Sequence, residues 1–245
     1  MNRRDFLKTS LGAGGFALIG CVPLLKDGKY DVNDNFIEEF DLLDGAVEYK
    51  TKIKYKTSSS DKENEFNGYG LGFRKGNKLI TDSHLINSQP IRMRTPFGII
   101  SMPTETLSTE VYFGEDEGGI IYDNEEKDTA LIELPKEIGR EYPLGDSDQL
   151  ETGDVIASVG KSFGKRMLVK PGRVVSKDGI TDYAGFDEKE TFLNWYKNMP
   201  GDSGGPIYAF RDGEPEIIGK VLAMHNGIGV NHKINHIKKL VGKYL

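Results

Sequence analysis

Ser203, His84 and Asp128 are the side chains whose types and surroundings could do chemistry together. Ser203 lies in "MPGDSGGPIY", residues 199–208, where three glycines and a serine are packed between two prolines. Such a run reads either as a tight surface turn or as a mount for a nucleophile. In the second reading the glycines leave main-chain N–H groups bare for a developing negative charge. A serine hydroxyl is a weak nucleophile at neutral pH. It needs a neutral imidazole to take its proton, and the imidazole needs a carboxylate to fix its tautomer.

The chain has four histidines, His84, His225, His232 and His236. His84 sits in "LITDSHLI", directly after an apolar run, where a strand can hold it at the rim of a sheet. His232 and His236 lie in a polar C-terminal segment and read as solvent-exposed. Among 38 acidic residues, Asp128 stands out because it opens "DTALIELP", a charge placed against a run that must be buried. A carboxylate in that position requires a partner. Asp82, two residues before His84, is the rival carboxylate. The set calls for no metal and no cofactor.

Elements must position these residues, and the sequence points to an all-β chain. "AVEYKTKIKYKT" alternates apolar and polar residues; "YGLGFRKGNKLITDSHLI" reads as strand, turn, strand. "DTALIELP", "DVIASVG" and "IIGKVLAMH" are short apolar runs bounded by Gly, Asp or Pro. Helical spacing appears only in "HKINHIKKLVGKYL", through Ile234, Ile237, Leu240 and Val241. Two stretches read as long loops: residues 114–127, with six acidic side chains, and residues 176–198, which hold Trp195, read as packing. At 245 residues the chain can bury a sizeable core without disulfides, and its net charge of −6 argues against a nucleic-acid partner.

The N-terminus reads differently from the rest. Residues 1–20 have a basic start and a short, glycine-diluted apolar stretch, as in a removable export signal. Arg3 and Arg4 followed by "DFLK" look like a twin-arginine signal, and "LIGC" resembles the lipobox of bacterial lipoproteins. Cys21, the single cysteine, would then be lipidated and anchor the protein to a membrane. Removing residues 1–20 deletes Arg3, Arg4, Lys8 and Asp5 and moves the net charge from −6 to −8. The expected location is the bacterial cell envelope, on the periplasmic or outer-surface side. Residues 21–45 read as a tether.

Together these segments resemble the trypsin/chymotrypsin superfamily of serine endopeptidases. The likeness is closest to the bacterial high-temperature-requirement (Deg-type) and glutamyl endopeptidase branches. It runs from about Asn67 to Gly229 and rests on the order His84, Asp128, Ser203, on "GDSGGP", on "DTALIEL", and on "LGDSDQLETGDVIASVGKSFG" at 144–164. The resemblance implies two six-stranded antiparallel Greek-key β-barrels, about 46–140 and about 141–230, with a short C-terminal helix at about 232–245. The catalytic cleft would lie between the barrels. It further implies Ser203 as nucleophile, His84 as general base and acid, Asp128 as its orienting carboxylate, and the N–H groups of Gly201 and Ser203 as an oxyanion hole. "IIGKVLAMHNGIG" looks like the strand in which a histidine of glutamyl endopeptidases lines the primary specificity pocket; His225 would fill that role and favour Glu or Gln before the scissile bond.

Two letters depart from the family pattern. The segment before the histidine usually holds small residues, yet here it carries Asp82. Asp202 is typical of digestive-type members, where it pairs with an N-terminus freed by zymogen cleavage, and this chain carries no such activation sequence. The sequence therefore predicts an exported, lipid-anchored serine endopeptidase acting on proteins or peptides without zymogen cleavage. The competing expectation is a catalytically silent lipoprotein that uses the double barrel as a protein-binding module.

Overall fold

The computed structural model describes residues 41–95, 98–180, 186–195 and 198–245. The export signal, Arg3, Arg4 and Cys21 lie outside the described residues. Eight strands precede residue 140: β1 (Ala46–Thr57), β2 (Ser60–Lys75), β3 (Lys78–Thr81), β4 (Ile91–Thr95), β5 (Gly98–Met102), β6 (Thr104–Phe113), β7 (Asp116–Asn124) and β8 (Thr129–Glu133). Six follow: β9 (Val155–Gly160), β10 (Leu168–Ser176), β11 (Thr191–Asn194), β12 (Pro206–Arg211), β13 (Glu214–His225) and β14 (Ile228–Lys233), then helix α1 (Ile234–Val241).

The strands close into two six-stranded antiparallel barrels, ordered β1-β2-β3-β8-β7-β6 and β10-β11-β14-β13-β12-β9, with β4 and β5 forming a separate two-stranded ribbon. The expected chymotrypsin-like fold is thus the observed one. Alternation explains β1: Val47, Tyr49, Thr51 and Ile53 point inward and are buried, while Lys50 is exposed. They join Leu79, Val111, Phe113, Ala130 and Ile132 in the first core. The second core gathers Ile156, Val174, Phe192, Ile207, Ile218 and Val221. Closure leaves no free sheet edge within either barrel. Helix α1 buries Ile234, Ile237 and Val241.

Three expectations are corrected here. The acidic stretch 114–127 is mostly strand, because β7 pairs with both β6 and β8 and its acids occupy positions that are exposed or only half-buried. The stretch 176–198 likewise contains β11, paired with β10 and β14, and Trp195 at its end is 59% exposed rather than packed. His232 is fully buried, covered by an edge-on contact with Phe186 and by His236 of the following helix, whose Nδ1 lies 2.8 Å from its Nε2; His236 itself is half-buried.

Gly204, next to Ser203, ties the serine loop to both barrels. Its N–H donates to the carbonyl of Val221 at 2.9 Å, and its φ of +79° suits glycine. A Cβ there would collide with the carbonyl oxygen of Leu71 in β2 and come within 2.9 Å of Thr81 Oγ1. Gly204→Ala is expected to cost roughly 1–3 kcal/mol of stability from backbone strain, before any contribution from the collision. That is a fall of at least about 2 °C in Tm by differential scanning calorimetry. An unchanged Tm would show that the loop can shift freely.

Candidate active site

His84 lies in a single 3-10 turn, Ser83–Leu85, immediately after β3. The turn is pinned to β7: Ser83 Oγ donates to Asp123 Oδ1 at 2.5 Å, and Asn87 Nδ2 donates to Asp123 Oδ2 at 2.8 Å. Asp128 sits at the end of the β7–β8 turn with φ +41°, a left-handed conformation that aspartate tolerates better than most side chains. Its carboxylate grips His84 twice. The His84 main-chain N–H donates to Oδ1 at 2.8 Å, and Nδ1 lies 2.9 Å from Oδ2 and 3.1 Å from Oδ1. Main chain and ring are thereby fixed by one carboxylate.

The electrostatics follow from that grip. Burial opposes the charged form of Asp128, but the hydrogen bonds from His84 and the positive charge of Lys220 outweigh it and hold the carboxyl down at about 2. Burial also works against protonated His84. The hydrogen bond to Asp128 and the charges of Asp82 and Asp128 overcome it, so the imidazole sits above its ordinary value. The Nδ1 proton is thus directed at Asp128, which leaves Nε2 to act as base.

Ser203 and His84 line the same cavity of about 750 Å³, together with Pro200 and Gly201 and an apolar wall that includes Ile53, Phe66 and Tyr69. The serine loop is strongly held. Phe163 N–H donates to the Pro200 carbonyl at 2.6 Å, and Lys161 N–H donates to the Gly201 carbonyl at 3.3 Å. Gly201 has φ +95°, and a Cβ on it would come within 2.5 Å of the Lys161 carbonyl. Asp202, 1% exposed, accepts from Met199 N–H at 2.7 Å, from Ser162 Oγ at 3.1 Å and from the Lys170 ammonium.

Comparison with known proteins agrees with this architecture. The sequence family described as a trypsin-like peptidase domain matches residues 70–219, more than half of the chain. The chain belongs to this family. Over 107 residues, 42% of its length, this trypsin-like peptidase-domain protein is 32% identical to a probable periplasmic serine endoprotease, DegP-like, of Chlamydia trachomatis. The counterpart in Chlamydia muridarum is 33% identical over the same length. These stretches span 20% of each relative. Among solved structures, a substituted form of the HtrA-type protease AlgW with decapeptide superposes with a TM-score of 0.62 at 16% identity, covering 86% of this chain and 67% of that one. AlgW with tripeptide gives 0.54 at 17% identity, covering 79% and 60%. The Deg-type likeness read from the motifs is therefore upheld, and the fold is that of the HtrA-type proteases.

In this trypsin-like peptidase domain the structure brings together His84, Asp128, Gly201 and Ser203, and it leaves His225 elsewhere. His225 ends β13 opposite Ile228, is exposed, and has Nε2 2.9 Å from Asn226 Nδ2; it is not among the residues that line the cavity. Past a register shift between Val221 and Ala223, β13 continues to a hairpin turn with His225 at its tip. Sequence reasoning missed two lysines. Lys220 is fully buried and bonded to Asp82, and Lys170 is bonded to Asp202. The signal for Lys220 was visible, since a lysine inside the apolar run "IIGKVLA" must find an anion. Lys170 offered no such signal in "LVKPG".

Proposed function

We propose that the chain is a serine endopeptidase working through His84, Asp128 and Ser203. The observation that carries this reading is the doubly hydrogen-bonded His84–Asp128 pair sharing one cavity with Ser203. Ser203 Oγ attacks the peptide carbonyl carbon while its proton passes to His84 Nε2. The C–N bond then breaks, the leaving amine takes that proton, and the acyl group stays on Ser203 until water, deprotonated by His84, releases it. The carbonyl oxygen becomes an oxyanion held by the N–H groups of Gly201 and Ser203. In a trans peptide N–H and C=O point in opposite directions, so anchoring the Pro200 carbonyl on Phe163 turns the Gly201 N–H the other way. The solved AlgW forms carry a decapeptide or tripeptide, which supports a peptide substrate here. His225 is exposed on its hairpin and outside the cavity lining, so the proposal carries no Glu or Gln preference through it.

The same proposal includes export and a lipid anchor at Cys21, both read from the sequence of residues 1–21; the periplasmic description of the two chlamydial relatives supports the export alone. Fluorophosphonate labelling of the purified chain tests the chemistry: wild type should label and Ser203→Ala should not. Absence of label on folded wild type would favour the silent binding module. Metabolic lipid labelling in cells tests the anchor, which is excluded if Cys21→Ser keeps full label.

A further inference from the structure

Asp82, His84 and Asp128 carry donor atoms that all lie within 4.8 Å of one another, two carboxylates beside one imidazole. So much negative charge in a buried place requires a cation. The cation is Lys220 of β13, in the second barrel, fully buried like Asp82 of the first. Its ammonium is bonded to Asp82 Oδ1 and donates to the main-chain carbonyl of Asp128 at 2.6 Å. Asp82 Oδ2, the other oxygen, is buried with no hydrogen-bond partner and lies 3.9 Å from His84 Nδ1, against 2.9 Å for Asp128. A small movement of Asp82 would let it compete for the Nδ1 proton. The ammonium on Oδ1 prevents that movement.

We propose that Lys220 and Asp82 are positioning residues of the active site: the pair joins the two barrels, holds the Asp128 main chain by its carbonyl, and restrains Asp82 so that Asp128 alone orients His84. This inference rests on the serine endopeptidase reading. The groups facing the pair are Tyr49 from β1, His84 and Asp128 beside Asp82, and His232, the cross-strand neighbour of Lys220 in β14. Burial is the largest influence on Asp82 and pushes its carboxyl up to about 6, against the pull of Lys220. Its negative charge raises His84, and Lys220 lowers it.

The test compares wild type, Asp82→Asn, Lys220→Met and the double variant by peptide hydrolysis across pH, with Tm recorded for each. Asp82→Asn keeps an oxygen for Lys220 to bond while removing the charge. Its acid limb in kcat/KM should move to lower pH, and that of Lys220→Met should move to higher pH. Lys220→Met and the double variant should lose roughly tenfold or more in kcat through a misplaced Asp128, with little change in KM. A buried pair replaced as a unit by uncharged residues is often tolerated, so the double variant serves if Lys220→Met fails to fold. A structural brace would lower Tm and leave the acid limb in place. An Asp82→Asn limb at the wild-type position, with kcat of the double variant unchanged, overturns the proposal. A folded wild type that neither labels nor hydrolyses peptide overturns the endopeptidase reading first and this one with it.

Discussion

Asp128→Asn is expected to lower kcat for peptide hydrolysis by about 10⁴-fold while leaving the fold intact. The backbone accepts the change, since Asn tolerates the left-handed φ of +41° as Asp does. The amide oxygen can still receive the His84 main-chain N–H that now meets Oδ1 at 2.8 Å. What changes is the group facing Nδ1. An amide NH₂ there donates rather than accepts, so the imidazole keeps its proton on Nε2 and presents Ser203 with a donor where a base is required. The loss of charge has a second, signed effect. Asp128 raises His84, so its neutralisation should bring the acid limb of kcat/KM down to lower pH. In wild type that limb should stand above 6.5, the ordinary value for histidine.

Stability is also lost on acidification, but at lower pH. The Asp128 carboxyl falls from 3.8 to about 2 on folding, so the stability it lends is complete above the ordinary carboxylate range and is lost as pH falls toward about 2. Stopped assays and circular dichroism on Asp128→Asn and Asp82→Asn side by side decide which carboxylate orients His84. If Asp82→Asn shows the 10⁴-fold loss and Asp128→Asn the small one, the assignment is reversed.

The candidate residues were legible because each lies in a short local pattern: a glycine-rich run around Ser203, and charged or polar residues abutting apolar strands at His84 and Asp128. Barrel strands were legible where alternation was clean, as in β1. β7 was not, since Gly118 and Gly119 interrupt its pattern and its acids read as solvent-facing; pairing with β6 and β8 overrides that weak local preference. The unread parts of the site are long-range pairings. Asp82 and Lys220 are 138 positions apart and become neighbours only where the two barrels pack against each other. His225 likewise ends up at a hairpin tip, opposite Ile228, through a strand register that one sequence does not show.

Lys170 and Asp202 give the other large effect expected. Asp202 is 1% exposed and precedes Ser203, so its charge must be answered inside the protein. Digestive-type members of the superfamily answer it with an N-terminus freed by cleavage. Here the Lys170 ammonium from β10 reaches the same carboxylate, with Ser162 Oγ bridging and the Met199 N–H closing the loop at 2.7 Å. Ser162 also begins the 3-10 turn whose Phe163 N–H anchors the Pro200 carbonyl, so the cation, the turn and the Gly201 peptide form one connected support. Lys170→Met leaves a buried carboxylate without its cation. The loop should turn Asp202 toward water and carry the Gly201 N–H out of position, a loss comparable to removing one oxyanion donor, about 10²–10³-fold in kcat. Asp202→Asn keeps the Met199 contact and should lose less. The uncut wild-type chain should be active as purified, because the cation is already in place. A wild type that gains activity only after internal cleavage, or a Lys170→Met variant with wild-type kcat, would show that the serine loop is set by something other than this pair.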